Sequence, residues 1–303
     1  MKHMYQAADA SVRERITSAY EGLPPQLQTA ARWVLEHPQD VALLSTREQA
    51  RRAGVPPATM TRFAQRLGFA GHDQIRQVHA ERVRRAPAGF AGKAEAMVAR
   101  RRAKGEAGLA QDVIAAMARQ VASLEAPETM AQIAAAVPVL ANAKRVYCLG
   151  LRSSFGVAFH FHYVRAFAGG AVTLVDAAGG TGIDLLRGAG RGDALLAVSV
   201  RPYTRLTLDY AKYAAGRGVA VVALTDSALS PLARSAKQSV VISTESPSFF
   251  HAMTAAFAAA EVLAALIAAQ GGQRALAAIA RSDRELQELG AFAASRGHKR
   301  NPQ

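Results

Sequence analysis

A chain of 303 residues is long enough for two domains, each with its own core. Its formal charge of +14 points to a polyanionic partner, and a lone cysteine excludes a disulfide framework within one chain. The charge is uneven: residues 1–105 carry 18 Lys+Arg against 9 Asp+Glu, and residues 106–303 carry 19 against 14, so the N-terminal third holds the basic excess.

The N-terminal stretch MKHMYQAADAS lacks the apolar core of a signal peptide. The longest apolar run, Ala252 to Ala269, is mostly Ala, is broken by Thr254 and Glu261, and reads as a buried or interfacial helix. A cytoplasmic protein without a membrane partner is expected.

In chain order, Val12, Ile16 and Tyr20 share one helical face, which Leu23-Pro24-Pro25 ends. A second helix runs from about Pro25, with Leu27, Ala30, Ala31, Val34 and Leu35 at helical spacing, and stops near Pro38. A short segment, Asp40 to Leu44, leads into STREQARRAGVPPATMTRFAQRLGF (45–69). Thr46 is placed to cap a helix with Glu48 in its first turn, and Gly54 suits the point where that helix stops. Pro57 suits the first turn of the next helix, where a missing N–H is harmless. Met60, Phe63, Ala64 and Leu67 then form its buried face, leaving Thr59, Thr61, Arg62, Gln65 and Arg66 outside. That spacing is the packing grammar of a helix-turn-helix. Thr59, Thr61, Arg62 and Gln65 are the candidate readers of base edges, with Ser45, Thr46 and Arg66 nearer phosphates. A further helix, His72 to Arg85, is expected to bury Ile75, Val78 and Val83 with His79 between them, completing an all-helical bundle of about five helices. Residues 86–106, with Pro, three Gly and the basic run Arg100, Arg101, Arg102 and Lys104, read as a linker whose charges are solvated.

Beyond residue 106 the pattern alternates. Helices are expected at 107–124 and 127–142, then strands at 145–151, 171–176, 194–200, 219–225 and 239–244. Helix-length segments separate the strands at 154–167, 180–189, 203–217 and 229–236, and helices near 248–270 and 272–289 precede a basic tail from 291. Apolar strands separated by helices require a parallel sheet covered on both faces, and five strands suggest the flavodoxin-like order 2-1-3-4-5. In that order the ligand crevice opens between the first and third strands. Arg152, Ser153 and Ser154 lie on one side of it and Ser199, Arg201, Tyr203 and Thr204 on the other, with Ser248 able to face it. Two guanidinium groups, hydroxyls and helix N-termini make a site for a small anion. Gly179 to Gly182 is read as a turn, Ser230 and Ser246 as caps, and His160 and His162 as core or interface histidines. Glu245 and His251 have no partner motif for acid–base work, so no catalytic residue, metal site or cofactor is assigned.

The two halves together resemble the RpiR-type transcriptional regulators, a helix-turn-helix domain followed by a sugar isomerase (SIS) domain. The resemblance rests on VLEHPQDVALLS (34–45), the pattern ending ATMTRFAQRLGFAG (58–71) and ALTDSALSPLARSA (223–236). It implies operator binding as a dimer or tetramer and an SIS domain that senses a small effector, often a phosphorylated sugar, without turning it over. The long Ala-rich helix near 249–269 is the expected dimer surface. Where many members have G-x-G-x-S and S-x-S-G-x-T, this chain keeps Ser154, Ser199 and Thr204 but carries Arg152, Arg201 and Pro202. Pro56 stands where Ser is common before the recognition helix. These departures favour a carboxylate or other anion gripped by guanidinium groups over a sugar phosphate. The alternative is an SIS-type sugar-phosphate isomerase with an accessory helical domain; a ligand-binding protein whose helices contact another protein is a third possibility. The boundaries that follow are 1–85 for the DNA-binding domain, 86–106 for the linker, 107–290 for the SIS domain and 291–303 for the tail.

Overall fold

The computed structural model describes residues 12–85 and 89–292, which group into two compact units. One comprises the chain up to Gln120 with Ser227–Arg234 and Thr244–Ala252; the other comprises Val121–Asp226, Ser235–Ser243 and the chain from Met253.

In the first unit, α1 (12–19) passes through a 3-10 turn, Tyr20–Gly22, to α2 (Pro25–Glu36). Then come α3 (Pro38–Leu43), α4 (Thr46–Ala53), α5 (Pro57–Arg66) and α6 (His72–Arg85). The core is the apolar set expected from the spacing: Ile16, Ala30, Val34, Ala50, Met60, Phe63 and Ala64 are fully buried. Pro38 stops α2 but also opens α3, a helix absent from the sequence reading, because proline suits a first helical turn as well as it forbids an interior one. Val41 anchors α3 in the core. Ile75 and His79 of α6 are buried as expected; the side chain of Val83 lies outside those described.

A polar hub holds this bundle together. Gln49 is fully buried, and its carboxamide donates to the Val41 carbonyl (3.0 Å) and the Leu44 carbonyl (2.8 Å) at the end of α3. Both amide protons are thereby used, so its Oε1 accepts from His72 Nε2 at 2.7 Å. One side chain thus ties α3, α4 and the start of α6.

Residues 86–106 do not form an open linker throughout. A helix α7 (Gly89–Ala122) begins at Gly89 and is broken at Gly105, whose φ of 72° and ψ of −179° are non-helical. The chain doubles back there, since Arg100 (3.0 Å) and Lys104 (2.8 Å) both reach Asp112. Arg101 pairs with Glu106. Three of the four cations of the basic run are therefore matched by carboxylates.

In the second unit, α8 (Pro127–Ala141) leads to β1 (Val146–Gly150), α9 (Phe155–Phe167), β2 (Val172–Val175), a short α10 (Gly182–Leu185) and β3 (Ala194–Val198). They are followed by α11 (Arg205–Gly216), β4 (Ala220–Thr225), β5 (Gln238–Val241), α12 (Thr254–Gln270) and α13 (Gly272–Glu288). All strands pair in parallel, in the expected order β2-β1-β3-β4-β5. Every residue of β1 and β3 is buried, because α8, α9 and α12 cover one sheet face and α11 the other. Cys148 is fully buried in this core, and burial pushes its thiol up to about 12, so it is an inert structural thiol. Three helices are shorter than expected, the segment 180–189 forming only the four-residue α10. Residues 229–236 form only a 3-10 turn, Ala233–Ser235, and α12 begins at Thr254 rather than near 248. Among the described residues no single helix is long and apolar enough to cross a membrane.

The hub makes the bundle acid-sensitive. Burial pushes His72 down to about 4 from its ordinary 6.5. Below about 6.5 the unfolded chain takes up a proton that the folded chain refuses, so stability is full above that pH and falls until about 4, by about 3 kcal/mol. The single Trp33, 8% exposed in this core, reports unfolding here. Urea melts followed by its fluorescence should show this loss between pH 7 and 4.5, and His72→Gln, which keeps a donor but cannot titrate, should flatten it.

Candidate functional site

The helix-turn-helix is built from α4 and α5. Ser45, not Thr46, is the N-cap of α4: the Glu48 N–H donates to Ser45 Oγ at 3.2 Å, and Thr46 occupies the first helical position. That bond uses a lone pair and leaves the Ser45 hydroxyl proton for a phosphate. Gly54 ends the helix with φ 70°, the left-handed geometry that the sharp turn requires. Val55 is buried in the turn, and Pro56 precedes α5 without a side-chain cap. Glu48 accepts from Arg51 (2.6 Å) and Arg52 (2.9 Å), which hold its carboxyl down at about 2. Arg51 is therefore engaged within its own helix, and Arg52 both there and with Asp40 of α3 at 3.2 Å.

On α5, Thr61, Arg62, Gln65 and Arg66 are exposed. Thr59 is not: it is fully buried, lies within 3.5 Å of Gln26 Oε1, and accepts from Arg62 Nη2 at 3.4 Å. Its expected place on the outer face is corrected here. Four residues before Phe63, it shares that residue's inward face, and its hydroxyl steadies the root of Arg62. The sequence reading also passed over Gln49 and His72, whose hub sets the position of α4.

The second candidate site lies at the carboxyl ends of β1, β3 and β4. Gly150 ends β1 where any side chain is forbidden, since a Cβ would lie 2.4 Å from the Ser154 carbonyl oxygen. This tight turn puts Arg152 at φ 57°, left-handed backbone that costs a non-glycine residue about 1 kcal/mol. Strain of this kind is retained where a side chain has a task. Ser154 and Ser199 are buried, and neither Ser154 nor Thr204 caps its helix through its hydroxyl. Ser199 Oγ instead accepts from the Thr204 N–H at 3.3 Å, closing the loop after β3. Within that loop the Arg201 guanidinium lies over the Tyr203 ring at 5.9 Å.

Asp226, directly after β4, was missed by the sequence reading although the strand order places it beside the loop after β3. Burial pushes the Tyr203 phenol well above its ordinary pKa, and the Asp226 carboxylate adds to that. Gly179 to Gly182 is a turn, with Gly179 and Gly180 at positive φ. Ser248 belongs to the segment that groups with the helical unit; its Oγ accepts from the Phe250 N–H at 3.5 Å, and Ser246 Oγ from the Ser248 N–H at 3.1 Å. In the same unit the Glu245 carbonyl accepts from Gln120 Nε2 at 2.6 Å, and His251 is buried against the Phe250 ring at 4.3 Å. His160 meets Glu261 at 3.2 Å across α9 and α12. Among the described residues no cluster could hold a metal ion.

Comparison with known proteins matches residues 10–83 to the family model described as the helix-turn-helix domain, rpiR family, and residues 139–266 to the SIS domain. An RpiR transcription factor from Sphaerobacter thermophilus, solved as its sugar isomerase domain, is 30% identical over 57% of this chain and 96% of that one, with a TM-score of 0.53. The Vibrio vulnificus NanR protein complexed with ManNAc-6P is 20% identical, with a TM-score of 0.52, over 93% of this chain and 100% of that one, a likeness of fold. No curated protein gives a significant match.

Arg152→Gly should raise stability by roughly 0.5 kcal/mol, the relieved strain less the added freedom of the unfolded chain. Chemical unfolding of the two proteins side by side measures it.

Proposed function

The chain belongs to the RpiR family of transcription factors, and on that premise we propose that it binds operator DNA and adjusts that binding to a small anionic metabolite. The observation that carries the DNA-binding half is the exposed row Thr61, Arg62, Gln65 and Arg66 on a helix fixed by the Gln49 hub. Thr61, Arg62 and Gln65 meet base edges in the major groove, while Arg66, Ser45 and Thr46 bind phosphates. A DNA partner also puts the protein in the cytoplasm.

The metabolite sits at the ends of β1 and β3, gripped by Arg152 and Arg201 and by the hydroxyls of Ser153, Ser154, Ser199, Tyr203 and Thr204. Pro202 and Arg201 stand where a phosphate-wrapping loop would carry a glycine and a hydroxyl, which supports a carboxylate over a sugar phosphate. The domain binds its effector without converting it. Effector binding changes operator affinity only through its different affinity for the protein's alternative arrangements.

Two copies pair through the SIS domain and so present two reading heads. Support comes from exposed apolar side chains on the packed helices α9 and α12, among them Phe159 (48%), Tyr163 (52%) and Leu266 (42%), with Phe155 and Phe257. The proposed domain boundaries remain 1–85, 86–106, 107–290 and 291–303, with the second segment largely helical from Gly89.

Fluorescence anisotropy on the DNA flanking the protein's own gene tests this reading. Arg62→Ala should erase about 1–3 kcal/mol of preference for that DNA over random sequence, whereas Arg66→Ala should weaken both alike and lower the salt slope by about one. Phe159→Glu with Tyr163→Glu should sediment as a monomer; a dimer of unchanged stability would move the interface elsewhere.

A further inference from the structure

The amino end of the sheet, opposite the proposed effector crevice, holds an open cleft of about 600 Å³ within the second unit. That volume lies in the range of small-molecule sites, about 300–1,000 Å³. Pro138, Val139 and Ala143 around the end of α8, with Ala220 at the start of β4, give it apolar walls. Arg191, before β3, and Lys237, before β5, stand at its margin. Lys144, before β1, lies along Gly192 of the same lining.

Two glycines seat these cations. Gly192 has φ 93°, and a Cβ there would lie 3.3 Å from Lys144 Cδ and Cε. Gly218 has φ 83°, and a Cβ there would lie 2.9 Å from Arg191 Cγ. Both positions need left-handed backbone, and both leave bare main chain on which an aliphatic stem can lie.

The charge of the cleft is not cancelled from within. None of Lys144, Arg191 and Lys237 has an ion-pair partner among the described residues. Asp193, the carboxylate of the lining, is already engaged: its Oδ2 accepts from the Gly190 N–H at 3.1 Å, and its charge acts on Arg145. The carboxyl termini of α8 and α11 also end here, each carrying about half a negative charge. They offset about one of the three cations and leave an excess of about two. A ligand that fills such a cleft carries two negative charges on an apolar body.

We propose that this cleft binds a small organic dianion, its body against Pro138, Val139 and Ala220 and its charges on Lys144, Arg191 and Lys237. A phosphate monoester and a dicarboxylate share that chemistry. The site is separate from the crevice at the carboxyl ends of the strands, and the inference stands whether or not that crevice takes an anion.

Isothermal titration of the full-length chain at low ionic strength tests it. At about pH 7.5 a phosphate monoester, with a second pKa of about 6, is a dianion. The probes are two matched pairs: adenosine 5′-monophosphate with adenosine, and suberate with its neutral diamide. In at least one pair the dianion should bind about tenfold tighter, a modest factor because ion pairs open to water are individually weak. The pair that shows the preference identifies the acid as phosphate or carboxylate. Arg191→Gln with Lys237→Gln should abolish the preference; both side chains are exposed, so the fold is kept. Lys212→Gln with Arg274→Gln removes the same charge from exposed positions outside the cleft and should leave the preference intact. Equal binding of dianion and neutral partner in both pairs would overturn the inference. So would a preference that survives Arg191→Gln with Lys237→Gln, or one that Lys212→Gln with Arg274→Gln abolishes as well.

Discussion

Gln49 is the constraint on which the reading head depends. A carboxamide sealed from water must place both protons and its oxygen, and here it does so on α3 and His72. Those three bonds fix the approach of α4, and Gly54 then sets the turn into α5. The apolar face of α5, from Met60 to Leu67, would pack in several similar ways against a smooth core; a fully satisfied buried polar group admits far fewer. The order is therefore from hub to turn to recognition helix, and the exposed row on α5 inherits its position from side chains that touch no DNA. The hub also explains why so basic a module needs a neutral histidine inside it: His72 donates through Nε2, and a second proton would be buried without a partner.

The sheet works by a different principle. Its interior is nearly uniform, with Ala, Val and Leu closing both faces, and carries no chemistry. Chemistry is confined to the edge, where strands end and chain direction changes within a few residues. Gly150 shows how tight that change is, and Arg152 just beyond it takes left-handed backbone at a local cost. Specificity then follows from which side chains stand on adjoining strand ends. The family supplies the scaffold, and at this edge the chain places its own Arg201, Pro202 and Tyr203.

Most of the fold was legible because hydrophobic period dictates it. Continuous apolar strands separated by helices leave few arrangements besides a doubly covered parallel sheet, and the order of its strands followed from handedness. What failed to read failed for local reasons. Pro38 looked like a stop and is also a start. Thr59 was assigned outward by its polarity, although its four-residue offset from Phe63 places it inward. Gln49 looked like one more polar helical residue, since nothing in a helix's own spacing says that a neighbouring helix has left two carbonyls in need of donors. Gly105 was seen as part of a linker, but it is a break between two helical segments that turn back on one another, with Arg100 and Lys104 both on Asp112. Tertiary partners decided each of these.

The central claim is that a bundle fixed from within reads a particular duplex. The most direct measurement compares the affinity of the purified chain for the DNA upstream of its own gene with that for a shuffled fragment of equal length and composition, over a range of salt concentrations. The account predicts tighter binding to the native fragment at every salt concentration, with affinity falling steeply and linearly on logarithmic axes. Equal affinity for the two fragments throughout would contradict it.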